Sequence, residues 1–202
     1  PAFEKIITGF NTSPRSSPDG KWLVYFKEKN WWSYNIASGE NTNLTASINT
    51  SFWNVRDDHP ASRPAVGMGG WIKGDREVLL YDEYNVWAVK PDGKAARKLT
   101  EGEKDETVYR ITRLDFEDPF LDDSKPIYLT TYGKKKKKTG YAKYEKGKLS
   151  QLISEDAQVS RLTKAADADW FTYTKQNFDK SPALYLTQNF KNPELLLATN
   201  PQ

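Results

Sequence analysis

Two stretches of this chain carry the same order of residues 55 positions apart, and that spacing limits what the chain can fold into. The first holds Ser17-Pro18-Asp19-Gly20, then Trp22-Leu23-Val24-Tyr25-Phe26, Asn30-Trp31-Trp32-Ser33-Tyr34, Ser38-Gly39 and Asn43-Leu44-Thr45. The second holds Gly74-Asp75, then Glu77-Val78-Leu79-Leu80-Tyr81, Asn85-Val86-Trp87-Ala88-Val89, Asp92-Gly93 and Lys98-Leu99-Thr100. Asn30/Asn85, Trp32/Trp87 and Leu44/Leu99 keep the same offset. Each copy reads as strand, turn, strand, turn, strand: Asp-Gly supplies the positive φ of a tight turn, and β-branched and aromatic residues fill the runs between. Such a small antiparallel sheet cannot bury both faces alone and must stack on neighbours of its kind.

That pattern predicts an all-β chain of β-propeller blades, which serve as binding platforms more often than as carriers of chemistry. Two further units are legible. In one, residues 127–132, 139–144 and 148–152 make three strands; in the other, 170–174 pairs with 184–187 and 193–197 closes the sheet. Leucines at 44, 99, 152 and 195 end four units, giving approximate blades 1–45, 46–100, 101–153 and 154–202. The second unit carries an insertion, 47–69, which Pro60 and Pro64 stiffen into a surface loop. Residues 163–169, the nearest approach to a helix, are read as a turn. Four blades either close a ring or form an arc of a larger propeller.

Composition narrows the function classes. Seven Trp, eleven Tyr and nine Phe suit half-buried pleated surfaces, whereas no apolar run approaches the roughly 20 residues a membrane helix needs, so no membrane partner is expected. Without cysteine there is no disulfide, thiolate metal site or cysteine nucleophile. Net charge is only +3, and the one basic run, lysines 134–138, is bracketed by Gly133 and Gly140. That bracketing predicts a solvated hairpin loop and no nucleic-acid partner, although Tyr132 and Tyr141 flank the run. Pro1 at the start, with no leader-like apolar stretch, reads as a chain trimmed from something longer.

Several segments resemble the propeller of the prolyl oligopeptidase family, in particular its dipeptidyl-peptidase-like bacterial members. They are residues 17–26, 32–39, Ser51-Phe52-Trp53-Asn54, Asp57-Asp58-His59-Pro60, Arg63-Pro64 and Gly70-Trp71. Ser181-Pro182-Ala183-Leu184-Tyr185 and Asn189-Phe190-Lys191-Asn192-Pro193 are similar to the last blade of such proteins. The resemblance implies a non-catalytic cap that gates peptide substrates and docks on an α/β-hydrolase domain of the same parent, in the periplasm or outside the cell. The chain itself carries no Gly-x-Ser-x-Gly elbow, one histidine and no Glu-Glu pair of the kind that anchors a peptide's amino group. Catalysis by this chain alone is not expected, and no cofactor is implied. A reading of another class is a stand-alone propeller adaptor similar to the TolB-like proteins.

The substrate- or partner-facing residues are therefore sought in the loop that contains Trp53, Arg56, Asp57, Asp58, His59 and Arg63, a polar stretch on a β scaffold. A metal held by Asp57, Asp58 and His59 is the weaker reading, because adjacent residues seldom converge on one ion; a turn capped by an aspartate is preferred. The acidic residues Asp115, Glu117, Asp118, Asp122 and Asp123 lack EF-hand spacing and read as a solvated loop. Trp31 and Trp32 are adjacent on a strand, so one ring goes to each face of the sheet.

Overall fold

The structure is a computed structural model and describes residues 5–200. It is all-β: four four-stranded antiparallel sheets, each a meander in chain order, which are β-propeller blades. The first comprises β1 (Arg15–Ser16), β2 (Trp22–Lys27), β3 (Asn30–Asn35) and β4 (Asn41–Asn43). The second comprises β5 (Met68–Trp71), β6 (Val78–Tyr81), β7 (Val86–Val89) and β8 (Ala96–Lys98). The third comprises β9 (Thr107–Thr112), β10 (Ile127–Gly133), β11 (Thr139–Glu145) and β12 (Lys148–Glu155). The fourth comprises β13 (Gln158–Lys164), β14 (Phe171–Gln176), β15 (Ala183–Thr187) and β16 (Glu194–Ala198). The chain divides into two compact units. One takes the first two sheets together with Asp118–Asp123; the other takes Glu101–Glu117 and the chain from Ser124 onward.

The recurring letters turn out to be a hydrogen-bonded clasp. Thr45 Oγ1 accepts the Trp31 N–H at 3.0 Å and donates to Asn30 Oδ1 at 3.0 Å. Thr100 Oγ1 does the same with the Val86 N–H and Asn85 Oδ1, both at 3.1 Å. The leucine before each threonine donates its N–H to the opposite strand, Leu44 to Trp31 and Leu99 to Val86, at 2.8 Å. Both threonines are buried, so these bonds satisfy backbone groups where the last strand leaves its ladder. The repeated tryptophan is held in both copies too, with a different acceptor in each. Trp32 Nε1 donates to the Lys27 carbonyl at 3.2 Å, and Trp87 Nε1 donates to the Asp82 carboxylate at 2.8 Å.

Each unit has its own core. In the first, Val24, Phe26 and Trp31 from one sheet meet Val78, Leu80 and Val89 from the next, with Phe52 and Trp71 alongside. Two polar ties join the same sheets. The buried Asp75 carboxylate accepts the Ser17 hydroxyl and the Asp19 N–H, and Ser33 Oγ donates to the Pro91 carbonyl at 2.6 Å. In the second unit Tyr141 and Ile153 meet Val159, Leu162, Phe171 and Tyr173. The Trp pair divides as the strand period requires: Trp31 is buried in the core and Trp32 half-buried on the opposite face.

The structure departs from the sequence reading in four places. Each sheet has a further strand at its start: β1, β5, β9 and β13. Brevity hides β1 (two residues), the glycines and bulge hide β5, and the bulge at Arg161 hides β13, whereas β9 (Thr-Val-Tyr-Arg-Ile-Thr) is regular and was simply not read. The insertion is accordingly shorter, because Met68 and Gly69 belong to β5, and Thr163 and Lys164 belong to β13 and not to a turn. Among the closing leucines, Leu44 and Leu99 are core residues but Leu195 is 54% exposed. Finally, the acidic connection is not free of the scaffold. Leu121 bridges Ile72 in parallel, with hydrogen bonds Leu121 N–H to Trp71 O (2.7 Å) and Lys73 N–H to Leu121 O (2.9 Å). Asp122 and Asp123 pair with Lys73 and Arg76.

One turn is built from residues ill suited to it. Glu28 (φ 53°) and Lys29 (φ 64°) link β2 to β3, and a two-residue turn with both φ values positive favours Asn-Gly. Replacing Glu28-Lys29 by Asn-Gly should raise stability by about 1 kcal/mol, since each left-handed L-residue costs on that order. An unchanged urea midpoint would count against this account of the turn.

Candidate functional site

The excursion between the first and second sheets, 47–67, is anchored from below. Phe52 is 1% exposed and sits edge-on to Trp87, ring centres 6.2 Å apart. Its two arms then pair: Trp53 bridges Ala65, Val66 N–H donates to Phe52 O (2.9 Å), and Asn54 N–H donates to Pro64 O (2.8 Å). Thr50 donates to the buried Asp82 at 3.3 Å, and Lys29 lies 5.4 Å from the Trp53 ring centre. A rigid stem therefore presents a polar tip at 55–63.

At the tip Asn54 accepts the Arg56 N–H at 3.2 Å through its side chain. Arg56 reaches across to Glu83, in the turn between β6 and β7, at 2.8 Å. That contact, hydrogen bond first and charge second, raises the guanidinium pKa above its ordinary value. Asp57 Oδ1 accepts both the His59 backbone N–H (3.0 Å) and the His59 ring Nδ1 (2.8 Å). The side-chain bond, then the backbone bond, holds the Asp57 carboxyl below the usual aspartate value. The His59 side chain is 81% exposed, and Asp58 and Arg63 also face solvent.

The six expected residues thus fall into two groups. Trp53 belongs to the stem, whereas Arg56, Asp57, Asp58, His59 and Arg63 form one charged tip. Asp57 caps its turn as expected. The ligand atoms of Asp57, Asp58 and His59 do converge, to within 4.8 Å of one another, closer than adjacency in sequence suggested. Asp57 Oδ1 is already engaged twice by His59, so the pair is a hydrogen-bonded turn first. Among the described residues the His59 ring is hydrogen-bonded to Asp57 and to no hydroxyl. The tip thus holds two guanidiniums, of which Arg56 is engaged by Glu83, together with an exposed carboxylate and an imidazole.

Two other features bear on function. The lysine run is a turn closed by Lys137 N–H to Gly133 O (2.7 Å) and Gly133 N–H to Lys138 O (2.9 Å), with the Lys137 ammonium 5.8 Å from the Tyr132 ring centre. Tyr132 is thereby occupied by a lysine of its own hairpin, which fits the solvated-loop reading. The first unit also has an open cleft of about 620 Å³ that the sequence did not reveal. Trp22 and Pro91 line it, and its arginines are paired, Arg97 with Glu77 at 2.6 Å and Arg76 with Asp123. Residues so far apart in sequence carry no local signal of a shared surface.

No family model matches the chain, and no curated protein matches it. Solved structures do. TolB from Acinetobacter baumannii is 15% identical over 94% of this chain and 44% of its own, with a TM-score of 0.46. Regucalcin from Agrobacterium tumefaciens, described as a calcium-binding protein, is 13% identical over 94% and 59%, with a TM-score of 0.48. A prolyl endopeptidase is 12% identical over 95% and 42%, with a TM-score of 0.30. The chain spans about half the length of the first two of these structures. At such identities no activity transfers from any of them.

Proposed function

We propose that this chain is a non-catalytic propeller segment of a prolyl oligopeptidase-type serine peptidase, gating peptide access and docking on an α/β-hydrolase domain of the same parent. The observation that supports it is the stiff stem at Trp53–Ala65 carrying Arg56, Asp58, His59 and Arg63 as a solvent-facing charged tip. Those residues lie in the segment whose Asp-Asp-His-Pro and Arg-Pro letters carry the family resemblance. Residence in the periplasm or outside the cell belongs to the same proposal, and cell fractionation tests it.

The first test is the reading frame beyond Gln202. A hydrolase domain with a Gly-x-Ser-x-Gly elbow supports the cap, and a stop codon supports a stand-alone adaptor instead. In a parent that has the hydrolase, Arg56→Ala, Asp58→Ala and Arg63→Ala combined should change kcat/KM for long peptides by about tenfold, roughly 1.4 kcal/mol. The value for a dipeptide anilide should stay the same, because a short substrate does not reach the gate. Equal effects on both substrates, or none on either, would sink the gating role of this loop.

A further inference from the structure

The cleft in the first unit is bordered by the two polar ties that join the first and second sheets, because Asp75 and Pro91 both line it. Asp75 is 3% exposed, and its carboxylate accepts the Ser17 hydroxyl and the Asp19 N–H. Pro91 is buried and holds Ser33 through its carbonyl. Bonds between sheets thus fix both borders, and the cleft is formed before any ligand arrives. Its volume, about 620 Å³, falls within the range of about 300–1,000 Å³ usual for small-molecule sites.

Trp22 and Pro91 supply apolar wall. The Trp22 ring is half-buried where it packs on the core, and it makes no aromatic or cation–π contact among the described residues. The rest of the wall is charged but balanced. Arg97 holds Glu77 in a two-bond fork, Nε to Oε1 at 3.1 Å and Nη2 to Oε2 at 2.6 Å. Arg76 gives Nη2 to Asp123 and Nε to the Lys73 carbonyl (3.1 Å). Its Nη1 and the second Asp123 oxygen have no partner among the described residues. Nor does the Lys90 ammonium, whereas Asp92 accepts the Lys94 N–H at 3.0 Å and lies 3.6 Å from the Lys94 ammonium. Three cations therefore share the wall with three carboxylates, and the fourth carboxylate, Asp75, is buried and already answered.

A wall of this kind selects against net charge. An anion meets guanidiniums that already carry carboxylates, and a cation meets carboxylates that already carry guanidiniums, so either must break a pair. An uncharged ligand breaks none if the same kind of group can accept from Arg76 and Lys90 and donate to Asp123. A hydroxyl does both. Several hydroxyls on a saturated ring, whose C–H face lies against the electron-rich face of an indole, describe a sugar.

We propose that this cleft binds a neutral oligosaccharide, with one pyranose ring on Trp22 and its hydroxyls paired to Arg76, Lys90 and Asp123. The site uses no residue of the 47–67 loop and stands apart from the hydrolase-cap reading.

The test is nuclear magnetic resonance of the tryptophan indole N–H and arginine Nε–H signals of the intact chain. Cellotetraose, maltotetraose and chitotetraose are each titrated to about 10 mM, where a millimolar site is mostly filled. At least one of them should shift the Trp22 and Arg76 signals together and saturate. Trp22→Leu should weaken that binding by about tenfold, and Lys90→Ala and Asp123→Ala by about threefold each. Trp22 also packs on the core, so near-ultraviolet circular dichroism checks that variant, and the two rim variants carry the test if its signal is lost. No shift of Trp22 with any of the three sugars overturns the proposal. Binding that all three variants leave unchanged overturns it too. Tighter binding of tetragalacturonate, or of tetra-alanine capped at both ends, would make the site one for an anion or a peptide and overturns it as well.

Discussion

Asp82→Ala should be among the most damaging single substitutions in the first unit, with an expected loss of about 3 kcal/mol. The carboxylate is 3% exposed. It accepts hydrogen bonds from the Tyr84 N–H (2.9 Å), the Asn85 N–H (2.5 Å), the Asn85 amide (3.3 Å), Trp87 Nε1 (2.8 Å) and the Thr50 hydroxyl (3.3 Å). Bonds to a charged acceptor are worth about 1.5–3 kcal/mol each but do not add, because they share one site. Alanine leaves several buried donors unanswered at once and frees the base of the 47–67 stem. Asp82→Asn keeps one acceptor oxygen and should lose about half as much. The check is urea unfolding followed by tryptophan fluorescence, with hydrogen exchange at Tyr84 and Asn85 as the local readout. Equal stability of wild type and Asp82→Ala would refute the role given to this carboxylate.

Gly140→Ala should be worse still, costing about 4 kcal/mol and concentrated in the second unit. A Cβ built on Gly140 lies 1.8 Å from the Ile153 carbonyl oxygen and 2.7 Å from its carbon. Both are backbone atoms of β12, so no side chain can swing aside. Relief requires β11 and β12 to separate where their register is already interrupted, beside Tyr141 and Ala142. Tyr141 then loses its place in the core and its hydroxyl's bond to the Leu162 N–H at 3.1 Å. Since the units are distinct compact bodies, exchange protection should fall at residues 139–164 and hold at residues 22–34. Uniform loss across both units would show that they unfold as one, contrary to this expectation.

Much of the fold was legible because the signals are local. Runs of β-branched and aromatic residues placed β2, β3, β6, β7, β10, β11, β14 and β15, and the repeated Asn and Leu-Thr letters mark the clasp that the first and second sheets each close with their own residues. Three of the added first strands were not legible. β1 is only two residues long, and the glycines and bulge of β5 and the bulge of β13 break the period-2 pattern on which such reading depends, whereas β9, a regular Thr-Val-Tyr-Arg-Ile-Thr strand, carried a signal that the reading missed. The turn at Glu28-Lys29 was likewise hidden, since neither residue type signals a positive φ. For the candidate site, the sequence located the loop and its charged residues, but not the paired stem from Trp53 to Ala65 or the Arg56–Glu83 contact.

By itself, then, the sequence determined that this is an all-β chain of repeated small sheets, and that it lacks the serine elbow and thiol chemistry of several hydrolase types. Those properties follow from residue type and short spacing, which act within a single sheet. Only the tertiary structure decided which side of the first sheet meets the second in a common core, where Leu121 returns to the second sheet, and how Asp57, Asp58 and His59 converge. Such facts depend on backbone paths that bring distant residues within a few ångströms. Leu44 and Leu195 show the difference: the same residue type ends both sheets, yet one is buried by its neighbours and the other faces solvent.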